Sequence, residues 1–180
     1  MFYLFVLLVI IILVIFYFYI LYFGLFFAGP FIPVSKKDIK HLTKIFDFKK
    51  KDLIYELGSG DGRVLIYLAK KYKANLVGIE INFLLYIWSK LKIKLLRLDK
   101  YIKIKRKNFF QENLKQADVV ICYLMPRTME RLKEKFKQEL KPKTKIISFS
   151  FPISDWKPIL IDKPTKKDKT IYIYEIGKTG

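Results

Sequence analysis

The chain has 180 residues, with 35 Lys and Arg against 16 Asp and Glu, a formal net charge of +19, yet 52% of it is hydrophobic. Those values exclude a disordered chain and a collagen-like repeat, and one cysteine excludes an internal disulfide scaffold. They also conflict for one uniform domain, and position resolves the conflict: every residue from Met1 to Ala28 except Gly24 is apolar or aromatic, and the first charged residue is Lys36. Beyond residue 28 the hydrophobic share falls to about 44%, near the globular norm. The chain therefore reads as an anchor over 1–28, a linker over 29–34 and one basic domain over 35–180, long enough for a single core.

The apolar run predicts a helix of about 40 Å, enough for one tilted span of a hydrocarbon core about 30 Å thick. A cleaved signal peptide wants a basic start, a short apolar core and a small-x-small cleavage site. Here no Lys or Arg precedes the run, which is long and aromatic, and Ala28-Gly29 is its one small pair. The run is read as an uncleaved, single-pass anchor. Lys36, Lys37, Lys40 and Lys44 put the flanking domain on the cytoplasmic side, with almost nothing of the amino terminus beyond the bilayer. Gly29-Pro30-Phe31-Ile32-Pro33 ends the span and stiffens the linker.

Ser35, followed by Asp38, marks a helix start, and the helix runs to about Phe46 with Ile39, Leu42, Ile45 and Phe46 on one face. His41, the only histidine, reads as a surface or linker residue of that helix. Leu53–Leu57 is a buried strand ending in glycines. Asp61 to Tyr72 is a helix with Val64, Leu65, Leu68 and Ala69 inward. Leu76–Glu80 is a second buried strand, and Asn82 to Leu98 a helix carrying Leu84, Leu85, Trp88, Leu91 and Leu95 at helical spacing. Strands follow at Ile102–Lys105 and Ala117–Tyr123, then a helix from Pro126 with Met129, Leu132, Phe136 and Leu140 buried. Lys145–Phe149 is a fifth strand, and two more lie near Lys157–Ile161 and Thr170–Ile176. Alternating strands and helices imply an α/β, doubly wound and mainly parallel sheet.

Chemistry concentrates at the turn after the first strand, Glu56-Leu57-Gly58-Ser59-Gly60-Asp61-Gly62-Arg63. In a doubly wound sheet a nucleotide-like ligand meets exposed backbone N–H groups there, and glycines permit its close approach. Glu80, ending the second strand, is placed to accept both hydroxyls of a ribose. The spacing is G-x-G-x-G, not the G-x-G-x-x-G of dinucleotide enzymes, and acidic Glu56 precedes it. An acid there suits a ligand with an ammonium group and discourages a pyrophosphate. Cys122 reads as a small buried residue, and metal-ligand spacings are absent.

This E-x-G-x-G-x-G pattern resembles the first motif of class I S-adenosylmethionine-dependent methyltransferases, which implies a Rossmann-like seven-stranded methyltransferase sheet, here preceded by one transmembrane helix. Pro30-Phe31-Ile32-Pro33, Gly78-Ile79-Glu80-Ile81-Asn82, Tyr123-Leu124-Met125-Pro126, and Phe151-Pro152 followed by Trp156 extend the likeness over roughly residues 30 to 160. The set is similar to the small membrane-anchored protein-lysine methyltransferases, whose eukaryotic members act on the adenine nucleotide translocase and the ring-forming c protein of the ATP synthase. The resemblance implies that S-adenosyl-L-methionine is held by Glu56, Gly58, Ser59, Gly60, Asp61, Gly62, Glu80, Ile81, Asn82, Asn108 and Phe109. Asn108 stands where the family usually has an Asp bonded to the adenine amino group. Asp61 either helps hold the cofactor's amino group or caps the following helix. Tyr123, Leu124, Met125 and Pro126 border the methyl group and the acceptor, in the catalytic position. Trp156 is a core, membrane-interface or substrate-wall residue.

The implied function is methylation of a lysine in a membrane protein. Methylation of a small molecule or lipid head group, and a non-catalytic cofactor-binding module, are the alternatives. The charge lies in 30 Lys against 5 Arg, which favours an anionic lipid surface over nucleic acid as partner.

Overall fold

In a computed structural model, residues 1–23 and 32–178 are described. They fall into two compact units that divide at Ile32 and Pro33. The first contains helix α1 (Phe2–Phe23), wholly apolar and aromatic, about 33 Å long and long enough to cross a bilayer. The side chains from Met1 to Tyr19 are exposed within the unit. The end of the span, expected at Gly29 to Pro33, lies outside the described residues except for Ile32 and Pro33.

In the second unit, α2 (Lys36–Ile45) starts at Ser35, whose Oγ accepts from the Asp38 N–H at 3.0 Å and donates to the Asp38 carboxylate at 2.7 Å. This reciprocal cap satisfies an otherwise orphaned helix donor. The remaining elements are β1 (Leu53–Leu57), α3 (Arg63–Tyr72), β2 (Asn75–Glu80), α4 (Phe83–Leu95), β3 (Ile102–Arg106), β4 (Val119–Cys122), α5 (Pro126–Glu139), β5 (Lys145–Phe149), β6 (Leu160–Asp162) and β7 (Ile171–Glu175). A 3₁₀ turn at Phe109–Gln111 was not expected.

The seven strands form one sheet in the order β3-β2-β1-β4-β5-β7-β6. β3, β2, β1, β4 and β5 are parallel, and β7 runs antiparallel to both β5 and β6. This is the doubly wound Rossmann-like methyltransferase sheet that the motifs imply. The strand order reverses between β1 and β4, so the carboxyl ends of those strands open the crevice where such sheets bind ligands.

Strand alternation splits the core into two layers. Ile54 of β1, Leu76, Ile102 and Ile121 pack with α2, α3 and Ile93 of α4 on one face. Tyr55, Leu57, Ile79, Cys122 and Ile146 pack with Met129, Leu132 and Phe136 of α5 on the other. Glu56 shares the α3 face with Ile54, which aims its carboxylate under the start of that helix. Trp156 joins the second layer edge-on to Tyr174, with ring centroids 6.1 Å apart, so it is a core residue and not an interfacial one. His41 pairs with Asp162 and ties α2 to the edge strand β6, a tertiary role beyond that of a surface residue.

Helix α4 departs from the usual amphipathic plan. Only Ser89 and Ile93 are fully buried, whereas Leu84, Trp88, Leu91 and Leu95 face outward. Ser89 is small because α4 crosses the glycine turn closely: a Cβ on Gly62 would stand 3.3 Å from the Ser89 Cβ.

Candidate functional site

The turn joining β1 to α3 is held open by backbone geometry. Gly58, Gly60 and Gly62 all have positive φ, at 74°, 54° and 74°. Only glycine adopts that conformation without strain. The N–H groups of Gly58 and Ser59 both donate to the Ile79 carbonyl, at 2.9 and 3.0 Å, so the turn is stitched to the end of β2.

Glu80 completes the stitching. Its carboxylate accepts from the Gly60 N–H at 2.7 Å and from the Asn82 N–H at 2.8 Å. Burial pushes its carboxyl above the ordinary range, and the backbone donors of Asn82, Gly60 and Ile81 oppose that rise. A carboxylate offers about four lone-pair sites, so this one retains capacity for ligand hydroxyls. Asn82 caps α4, its side-chain oxygen accepting from Leu84 and Leu85 at 3.0 and 3.1 Å.

The three acids at the turn have distinct fates. Asp61 is committed: its carboxylate accepts from Arg63 Nε at 2.9 Å, Arg63 Nη2 at 3.0 Å and Lys92 Nζ at 3.0 Å, and from the Arg63 N–H at 3.2 Å. Burial works to raise its pKa, but the two cations outweigh burial and hold the carboxyl below its ordinary value. These contacts tie Asp61 to Arg63 at the start of α3 and to Lys92 of α4. Glu56 is the opposite case. Burial, then repulsion from Asp61 and Glu80, pushes its carboxyl well above the usual carboxylate range, and the Leu65 N–H and Arg63 only partly compensate. Its Oε2 is buried without a hydrogen-bond partner, as is the Ser59 Oγ. Two orphaned polar atoms, one near the end of β1 and one in the glycine turn that follows it, beside the carboxylates of Asp61 and Glu80, form a site with the chemistry to take a cationic, hydrogen-bonding ligand.

The remaining residues line the carboxyl ends of the strands. Asn108 caps the 3₁₀ turn, its side-chain oxygen accepting from the Phe110 N–H at 3.0 Å and keeping a second lone pair. Phe109 and Phe110 pack with centroids 4.9 Å apart, and the Arg131 guanidinium lies 4.4 Å from the Phe110 centroid. Leu124 adjoins the glycine turn: a Cβ on Gly58 would stand 3.1 Å from its Cδ2. Met125 is exposed just ahead of Pro126, the first residue of α5. Tyr123 lies parallel to Phe151 at 6.4 Å and edge-on to Phe149 at 6.3 Å. Lys169, which no motif singled out, places its ammonium 4.7 Å from the Tyr123 ring centroid and donates to the Tyr123 hydroxyl at 3.0 Å. In the sequence it is one of four lysines between residues 163 and 169. Cys122 is fully buried, and burial, with Glu56 adding, pushes its thiol far up, which leaves no thiolate for chemistry.

Comparison with known proteins places this geometry among relatives. The family described as the ANTKMT methyltransferase domain matches residues 56–160. A protein-lysine N-methyltransferase of Saccharolobus islandicus is 31% identical over 157 residues, covering 83% of this chain and 94% of that protein. The adenine nucleotide translocase lysine N-methyltransferase of Mus musculus is 22% identical over 152 residues, covering 84% of this chain and 65% of that protein. The chain thus spans almost all of the first relative and about two thirds of the second. Among solved structures, an RNA methyltransferase from Salinibacter ruber in complex with S-adenosyl-L-homocysteine superposes with a TM-score of 0.77 at 28% identity, covering 81% of this chain and 94% of that one.

Proposed function

The chain belongs to the ANTKMT methyltransferase family and is an S-adenosylmethionine-dependent methyltransferase, and from that premise we propose that its acceptor is a lysine side chain of a membrane protein. The bound cofactor supplies an activated methyl group on a sulfonium. The fit rests on the orphaned Oε2 of Glu56 and Oγ of Ser59, on the glycine turn and on Glu80. Glu56 would hold the cofactor's ammonium, Gly58, Ser59, Gly60 and Gly62 its methionine portion, and Glu80 its ribose. Ile81, Asn82, Asn108 and Phe109 would border the ribose and adenine. Asp61 acts through Arg63 and Lys92, as a positioning residue for the turn.

Lysine as the acceptor is supported by the names of the relatives, and one observation carries it: the aromatic wall at Tyr123 and Phe151 already hosts a primary ammonium, that of Lys169. A ring face attracts such a cation. Tyr123, Leu124, Met125 and Pro126 would flank the incoming amine and keep water from it. An amine desolvated there loses its proton more readily than in water, where its pKa is near 10.4. The proton leaves to bulk water as the amine enters, before water is shut out, and no dedicated base is needed.

The membrane setting is supported by α1, a helix long and apolar enough to span. Lys36, Lys37, Lys40 and Lys44 favour a cytoplasmic catalytic unit. The Salinibacter likeness favours a second reading, an RNA acceptor. Both are tested by incubating the full chain, reconstituted in vesicles, with labelled cofactor and native membranes, lipid extract or total RNA. Label on lysine in membrane proteins, located by mass spectrometry, is expected. Label confined to RNA or to lipid refutes the lysine assignment.

A further inference from the structure

Helix α4 carries its apolar face on the outside. Leu84, Ile87, Trp88, Leu91 and Leu95 are all exposed, Trp88 to 54% and Leu95 to 73%. At 100° per residue they occupy an arc of about 100°, opposite the buried pair Ser89 and Ile93. Burial in the core does not account for this stripe, because the inner side of α4 is already filled by Ser89 against Gly62 and by Ile93 in the first core layer. An exposed apolar patch of this length marks a surface built to be covered.

The charges beside the stripe indicate what covers it. Lys90 and Lys94 flank it on one side and Lys92 on the other, and no Asp or Glu occurs from Phe83 to Leu98. A second copy of the same face would bring two lysine collars together with no acid to pair them. An anionic leaflet meets both features. Acyl chains accept Leu, Ile and Trp, and headgroup phosphates accept lysine ammonium groups, each contributing about 1 kcal/mol near the surface. Trp on the apolar face and Lys on its flanks is the composition of a helix lying in an interface plane.

We propose that α4 is a lipid-docking element: its outer face enters the headgroup–acyl boundary of an anionic leaflet, with Lys90 and Lys94 on the phosphates. The setting rests on the membrane reading of α1, but the docking surface is separate from it. The consequence is local to the reaction. α4 begins shortly after Glu80, and Lys92 joins it to Asp61 of the glycine turn, so docking would hold the cofactor site against the bilayer.

The test uses the full chain in lipid nanodiscs, one copy per disc, made of phosphatidylcholine with or without phosphatidylglycerol. Lipids brominated near the headgroup quench a tryptophan that lies among them. Trp156 is buried in the protein and supplies a constant background. The expected result is loss of most Trp88 emission in the anionic discs, at least twofold less loss in neutral discs, and no quenching in Trp88→Phe. Leu84→Glu with Leu91→Glu is expected to abolish the quenching while cofactor affinity stays unchanged, because both side chains face away from the glycine turn. Trp88 quenched by aqueous iodide but not by bromolipid overturns the proposal. So does Trp88 shielded from both, which would mean that protein covers the face, and so does quenching that ignores lipid charge. Resistance of the chain to alkaline carbonate extraction from vesicles reports α1 independently. A chain that stays in the membrane with Trp88 in water refutes α4 docking alone.

Discussion

Replacing Gly58 with alanine tests the turn at its narrowest point. Gly58 has φ of +74°, where a β-carbon costs about 1–2 kcal/mol. The added Cβ would stand 3.1 Å from Leu124 Cδ2, the free end of a half-buried side chain that can give by a few tenths of an ångström. Folding should therefore suffer only the backbone strain, a melting-temperature drop of roughly 2–8 °C for a chain of this size. Gly177→Ala is the control, since Gly177 has φ of +92° and nothing within 4 Å of an added Cβ. The two variants are expected to lose similar stability and to differ in ligand binding. At Gly58 the methyl group enters the cradle and pushes Leu124 toward the acceptor side, so affinity for S-adenosylmethionine should fall at least tenfold, about 1.4 kcal/mol. At Gly177 it should not change. Thermal melts and titration calorimetry on the full chain in detergent measure both quantities. Equal affinity in the two variants would refute the placement of the cofactor in this turn.

Glu80→Gln leaves one acceptor oxygen and turns an amide NH₂ toward the Gly60 or Asn82 N–H. It should lower stability by about 1–3 kcal/mol in urea unfolding and weaken cofactor binding at least tenfold; intact binding would exclude Glu80 from the ribose site. Glu56 titrates above its ordinary range in the fold, so the folded protein keeps a proton that the unfolded chain has released. Stability without cofactor should thus fall as pH rises from the usual carboxylate range through the raised value, with Glu80 contributing in the same direction. Glu56→Gln should flatten that fall in melts across pH, and an unchanged slope would contradict the burial of its charge. Asp61 has the opposite sign: its depressed pKa stabilises the fold above the ordinary carboxylate value and the gain is lost as pH drops through the lowered one. Asp61→Asn should cost about 1 kcal/mol at neutral pH after solvent screening and nothing in strong acid, read by urea unfolding under both conditions.

Where a segment's local signal and its tertiary role agree, the sequence reading and the structure coincide. Lys145–Phe149 is a strand at both ends as expected, because a β-branched run flanked by polar residues has nowhere to go but a central strand. Val64, Leu65, Leu68 and Ala69 are buried as their helical spacing demands. Divergence appears where a distant residue decides. Asp61 reads locally as a helix cap or a ligand holder, and its bond to Lys92, thirty-one residues on, has no local signal at all. The last strands blurred for a different reason: β6 has three residues on a sheet edge and no buried position, so burial gives it no period to read. The apolar spacing of α4 marked a helix correctly and said nothing of which side met the core. At the site, the glycines and Glu80 were visible because backbone conformation and ribose chemistry restrict residue type. The ammonium of Lys169 on Tyr123 was not, because forty-six residues separate the pair and one lysine in a basic run resembles another.

The strand order also sets a timetable for making the protein. β6 is synthesised before β7 but, among the described strands, bonds to β7 alone, and the open edge of β5 waits for the same partner. A chain that lacks β7 displays the unpaired edge of Ile146, Ile147 and Phe149, the kind of edge that recruits foreign strands. A chain cut short ahead of Ile171 would therefore leave a sticky, unfinished sheet rather than a smaller working one.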